Sequence, residues 1–122
     1  MRHLMVCLLT FCTYSCFAQH ASIENDTLTY NSHKYCVGDT VHLAYGSSGN
    51  KGFEFVQTGS VVLGLRSLDK RFSKADVVVD KVFKQRGKYY LRGKQIGGPA
   101  LGFNIFIDVE GAVDNKEMKE KE

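Results

Sequence analysis

Residues 81–94 concentrate the chain's most suggestive chemistry: Lys81, Lys84, Arg86, Lys88, Arg92 and Lys94 are interleaved with Phe83, Tyr89 and Tyr90. Ammonium and guanidinium groups neutralise phosphates, sulfates and carboxylates, and aromatic rings stack on flat or ring-shaped ligands. This pattern points to a polyanion-contacting surface with Lys81, Lys84, Arg86, Lys88, Tyr90, Arg92 and Lys94 as candidate binding residues. A hairpin with one wet and one buried face produces the same alternation without any ligand. On that reading Phe83 and Tyr89 face the core.

Other chemistries find fewer residues to work with. Beyond the first 18 residues the histidines are His20, His33 and His42, with no His-X-His or His-X-X-X-His spacing. His33 and His42 approach each other only across a turn, so no metal site is expected. There is no Gly-X-Ser-X-Gly and no recognisable Ser/His/Asp set. The loop Gly46-Ser47-Ser48-Gly49-Asn50-Lys51-Gly52 lacks the Gly-Lys-Ser/Thr of a phosphate loop. Asp39, Glu54, Asp76, Asp80, Asp108 and Glu110 could furnish a carboxylate pair, but nothing in their spacing selects two. No cofactor is implied, and the enzyme question stays open, with the weight against catalysis.

The chain of 122 residues opens on an address. Arg2 and His3 precede an apolar run, Leu4 to Cys12, and Ala18 before Gln19 is the expected cut, so residues 1–18 read as a signal peptide. The apolar run is too short for a permanent transmembrane helix. The reading is of an exported bacterial protein, periplasmic or secreted. Cys16 offers the alternative of a lipid-anchored N-terminus, although Thr13-Tyr14-Ser15 is a poor lipobox. After the cut only Cys36 remains of four cysteines, which excludes an intramolecular disulfide. Cys36 then reads as a small buried hydrophobe, with an intermolecular disulfide or a reactive thiol as alternatives.

The elements that must position the candidate residues are strands. Gly is frequent at 12, there is one Pro, and short β-branched or aromatic runs alternate with turn residues. Residues 19–26 read as a flexible spacer, residues 27–113 as a single domain and residues 114–122 as a polar, frayed tail with an Asp114/Glu117 capping spacing. Residues 40–45 alternate so that Val41, Leu43 and Tyr45 share a face, and residues 53–57 place Phe53 and Phe55 inward. Residues 60–68 read as one strand with a bulge at Gly64, residues 69–75 as one helical turn, and residues 103–109 as a central strand.

Residues 77–94 read as a hairpin. A three-residue Gln85-Arg86-Gly87 loop pairs Phe83 with Tyr89, Val82 with Tyr90 and Asp80 with Arg92. A two-residue Arg86-Gly87 turn sets Lys81 against Arg92, two like charges. Cross-strand pairs differ by about 0.2–1 kcal/mol, which favours the first register.

Five or six short antiparallel strands and a short C-terminal helical tail define an all-β protein, a small barrel or sandwich. Val37-Gly38-Asp39-Thr40-Val41, followed by a Gly-rich loop, a strand, a hairpin and a last strand, resembles an SH3-like barrel across residues 30–109. A small SH3-like barrel is therefore the expected fold. With no Trp and scattered tyrosines, no peptide-groove residues carry over. The export signal, residues 37–41 and Ile107-Asp108-Val109-Glu110-Gly111-Ala112 also resemble short exported proteins of Bacteroidota without an assigned activity.

Charge sharpens the functional expectation. Residues 66–94 hold ten basic and three acidic residues, net +7, while the segments on either side are acidic. The leading expectation is a non-catalytic interaction module using the basic hairpin face, its partner an envelope polyanion, a glycan or a protein. Export makes nucleic acid an unnatural target. The alternatives are an envelope structural component and a small hydrolase or enzyme inhibitor.

Overall fold

The computed structural model describes residues 21–60, 64–96 and 104–119. The signal-peptide and Cys16 expectations, the Pro99 loop and the last three residues lie outside these. Strands dominate. A small sheet holds β1 (Ser22–Glu24), β2 (Thr27–Tyr30) and β3 (His33–Cys36) in that order. A larger sheet holds β4 (Thr40–His42), β5 (Val56–Ser60), β6 (Gly64–Ser67), β7 (Asp76–Gln85), β8 (Lys88–Gln95) and β9 (Ile105–Asp108) in the order β4-β7-β8-β9-β5-β6. All pairings are antiparallel. One short helix, α1 (Val109–Asp114), follows β9.

The protein is thus mostly β with a short C-terminal helix, as expected, but no closed barrel forms among the described strands. The reason lies at the edges of the larger sheet. β4 takes its outer neighbour from the C-terminal segment: Leu43 bridges Met118, and the Lys119 N–H donates to the His42 carbonyl at 2.9 Å. β6 is exposed along its whole length. The two edges therefore do not meet, and the core lies between layers instead. Leu28, Tyr30 and Tyr35 of the small sheet join Val77, Val79, Leu91 and Ile107 of the larger one, with Val109, Ala112 and Val113 of α1, in one buried cluster.

Tight hairpins explain the strand boundaries. Asn25-Asp26 and Asn31-Ser32 each connect strands through two residues with positive φ (51° and 59°, 52° and 66°). Such mirror-image turns match the twist of the flanking strands, and Asn and Asp tolerate them best. Residues 21–26 are accordingly not a spacer: Ala21 is buried, and Ser22–Glu24 pairs along β2. In the Gly38-Asp39 turn Gly38 takes φ 95°, and the Asp39 carboxylate accepts from the Cys36 N–H at 2.9 Å. Cys36 itself is half-buried, with its Sγ 3.5 Å from Thr27 Oγ1.

The single strand expected at 60–68 is not found: Ser60 ends β5, Gly64–Ser67 is β6, and the two pair antiparallel in a register running from Gln57↔Ser67 to Ser60↔Gly64. The helical turn expected at 69–75 is a 3-10 turn at Lys70–Phe72, capped by Asp69, which accepts from the Arg71 N–H at 3.0 Å. A side-chain hydrogen bond from Arg71 holds the Asp69 carboxyl below its ordinary pKa. β9 is the buried interior strand expected near residues 103–109, flanked by β8 and β5. Val41 and Leu43 are buried as read, but Tyr45 is 59% exposed because regular pairing ends at Leu43.

The C-terminal segment departs most from expectation. The helix is capped by Asp108 rather than Asp114, and Glu117 and Met118 are buried. The Glu117 carboxylate accepts four hydrogen bonds: from the Ser47 N–H at 2.9 Å, Ser47 Oγ at 2.6 Å, and the Glu54 and Phe55 N–H groups at 2.8 Å each. A buried carboxylate is tolerable only when its lone pairs are satisfied. Here one acid satisfies the backbone of a Gly-rich loop and pins the chain leading into β5, so the segment to residue 119 is part of the fold and not a frayed tail.

Candidate functional site

The hairpin exists in the two-residue register. Gln85 faces Lys88, Lys84 faces Tyr89, Phe83 faces Tyr90 and Lys81 faces Arg92. Arg86 and Gly87 form the turn at φ 53° and 79°. This corrects the expected pairing of Phe83 with Tyr89. Turn geometry favours it, since positive φ at both central residues matches the strand twist. A bulge at Asp80, between the pairs Val79↔Gly93 and Lys81↔Arg92, leaves the two cations opposite each other but supplies a carboxylate that offsets the like charges. The bulge brings the Asp80 carboxylate to Arg92, whose Nε donates to it at 2.7 Å. Lys81 turns its Nζ over the Phe83 ring, 5.5 Å from the centroid.

Register decides which side chains reach solvent, because side chains alternate between the faces of a strand. Val77, Val79, Val82 and Leu91 line the buried face, and Tyr89 packs against the core. Phe83 moves to the opposite, outer face, where its ring stacks on Tyr90 at 5.4 Å and 19°. Phe106 of β9 meets Phe83 edge-on at 6.3 Å and 85°. On this face Phe83 and Tyr90 are half-buried and Phe106 is buried.

Gly93 fits the bulge for steric reasons. A Cβ there would sit 2.2 Å from the Val78 carbonyl oxygen, a distance no side chain can adopt without moving the backbone.

The candidate binding residues divide. Lys81, Lys88, Tyr90, Arg92 and Lys94 fall on the outer face by register, and Arg86 stands at the turn beside it. Lys84 belongs to the other face, its Nζ 5.3 Å over the Tyr89 ring. Two shallow hollows flank the aromatic cluster. One, of about 400 Å³, includes Lys81, Arg92 and Asn104 in its lining, and the other, of about 210 Å³, includes Gln57, Arg86 and Tyr90. Both share Phe83, Gln85 and Phe106 as their dividing wall. Lys94 lines neither hollow.

Acidic groups temper the face without covering it. Lys88 Nζ lies 3.8 Å from Asp108, and Arg92 is held by Asp80. Two further acids of the C-terminal segment have duties within the fold: Asp114 accepts from the Tyr30 hydroxyl at 2.8 Å, and Glu117 is buried. Of the histidines, His42 lies 2.5 Å from Asp76 on exposed strand positions and lines neither hollow. Among the described residues no three His, Cys, Asp or Glu side chains converge as metal ligands would.

Sequence reasoning missed Phe83, Phe106 and the amides Gln57, Gln85 and Asn104. The signal that would have found Phe83 is Arg86-Gly87 read as a two-residue turn. The others depend on β5 and β9 lying beside the hairpin, a long-range arrangement. Comparison with protein-family models, curated proteins and solved structures returns no match.

Proposed function

We propose that the chain is an exported, non-catalytic binding module whose outer sheet face contacts an anionic partner. The observation that carries this reading is the outer face itself: Phe83 and Tyr90 stack there half-buried, outside the core cluster, with the exposed Lys81, Arg86 and Lys88 and the half-buried Arg92 around them. An aromatic pair left outside the core keeps apolar surface in water, which folding alone does not favour. The surrounding cations match a partner carrying carboxylate, sulfate or phosphate groups. The apolar run at residues 4–12 and Ala18-Gln19 support export.

The test exploits the two faces of the hairpin. Heparin binding by fluorescence anisotropy should weaken more than tenfold in the Lys81→Glu/Arg86→Glu double variant. Lys84→Glu, a charge reversal on the opposite face, should change it less than threefold. Equal losses in all variants would indicate nonspecific attraction to net charge, and undiminished binding in the double variant would remove the outer face from the reading. Export is checked by the N-terminal mass of protein recovered from cells expressing the full chain. A start at Gln19 supports soluble export, an acylated Cys16 supports the anchored form, and an intact Met1 refutes both.

A further inference from the structure

We infer that the ligand of this face is an acidic oligosaccharide, a chain of sugar rings carrying sparse carboxylate or sulfate groups. This rests on the reading of the outer face as a binding surface.

The two hollows repeat one composition. Each has the Phe83/Phe106 wall, an amide of its own (Asn104 in one, Gln57 in the other) and the shared Gln85 amide. Each also has one cation that engages no carboxylate among the described residues, Lys81 in the first and Arg86 in the second. An amide and an unengaged cation on either side of one shared aromatic wall suit a ligand that itself repeats, with one ring and about one charge per hollow.

The polar groups favour sugar over a denser polyanion. Side-chain amides both donate and accept, so they match hydroxyl groups, which do the same. Asp80 and Asp108 add acceptors on the same face and already occupy Arg92 and Lys88. These carboxylates repel a ligand with a phosphate at every unit, whereas a hydroxyl donates to them. The half-buried Phe83–Tyr90 pair, backed by the buried edge-on Phe106, presents apolar surface against which the C–H face of a pyranose can be buried.

The experiment uses protein purified from cells expressing the full chain. Its probes are hexamers of galacturonate, alginate and chondroitin sulfate, the methyl-esterified galacturonate hexamer and inorganic polyphosphate. At least one acidic hexamer should bind, and polyphosphate should bind at least tenfold more weakly than that hexamer. Masking the carboxylates as methyl esters should weaken galacturonate binding at least tenfold. Tyr90→Ala should cost at least tenfold in affinity with the circular dichroism spectrum unchanged; if it fails to fold, Tyr90→Leu keeps apolar bulk without a flat ring and should show the same loss. Polyphosphate binding equal to or tighter than the sugars, insensitive to Tyr90 variants, overturns the inference but leaves the anionic-partner reading standing. Binding to none of the anionic probes overturns both. Dimerisation abolished by Tyr90→Ala, without sugar binding, overturns it in favour of a second copy of the chain.

Discussion

Glu117 is the residue on which most depends for its size. Its side chain is fully buried and receives every hydrogen bond from the Gly-rich loop or the chain entering β5. Glu117→Gln keeps the volume but turns an amide NH2 toward donors that need an acceptor. The variant should lose about 3 kcal/mol, the cost of leaving a buried donor unpaired within a charged network, read as a shift of the urea midpoint at unchanged slope. A loss below about 0.5 kcal/mol would mean that water substitutes for the carboxylate. Nothing in Asp-Asn-Lys-Glu-Met-Lys-Glu-Lys-Glu marks this residue as buried, because a run of alternating charges with a capping spacing reads as a solvated segment. The partners that make burial tolerable are backbone N–H groups some 60–70 positions earlier in the chain, and backbone groups leave no signature in residue types. Gly38 and Gly87 were easier to read as turn residues, since a positive φ follows from local chemistry, whereas Cys36, expected buried, is half-buried.

At the scale of elements, the hairpin shows where pattern reading works and where it stops. Alternation and β-branched content locate both strands between residues 77 and 94. They do not set the register, because the like-charge penalty at Lys81 and Arg92 is worth only about 0.2–1 kcal/mol and the carboxylate of one bulged residue, Asp80, offsets it. Turn chemistry carried the decisive information. Arg86 is a bulky residue at φ 53°, where Asn is far more comfortable. Arg86→Asn should therefore stabilise the protein by about 0.5–1 kcal/mol, seen as a higher thermal midpoint, while losing a cation from the smaller hollow. Stability and ligand affinity should move in opposite directions in this one variant. If both rise together, Arg86 is not a contact residue. A φ above zero kept by Arg where Asn fits better accords with a side chain retained for contact rather than for folding.

The described residues form two sheets and a helix joined by the C-terminal segment. The all-β class was legible because alternation and turn residues are local signals, whereas barrel closure was not, since it depends on which edges meet. Here the larger sheet stays open, and the edge at β4 is occupied by Met118 and Lys119. Three contributions converge on residues 117–119. Met118 is buried, which contributes about 1.5–3 kcal/mol relative to exposure. The Glu117 clasp adds a comparable amount by satisfying four donors. Backbone bonds from Ala44 to Glu117 at 2.7 Å and from Lys119 to His42 at 2.9 Å cover the β4 edge, which would otherwise be open to other chains. Domain stabilities are about 5–15 kcal/mol in total, so losing these together removes most of the margin. A chain ended after Lys116 should lack a cooperative thermal transition and associate through its exposed edge, as seen by calorimetry and light scattering. A cooperative melt within about 5 °C of the full chain would show that the two sheets hold without the segment, and would reassign Glu117 from structural anchor to local loop restraint.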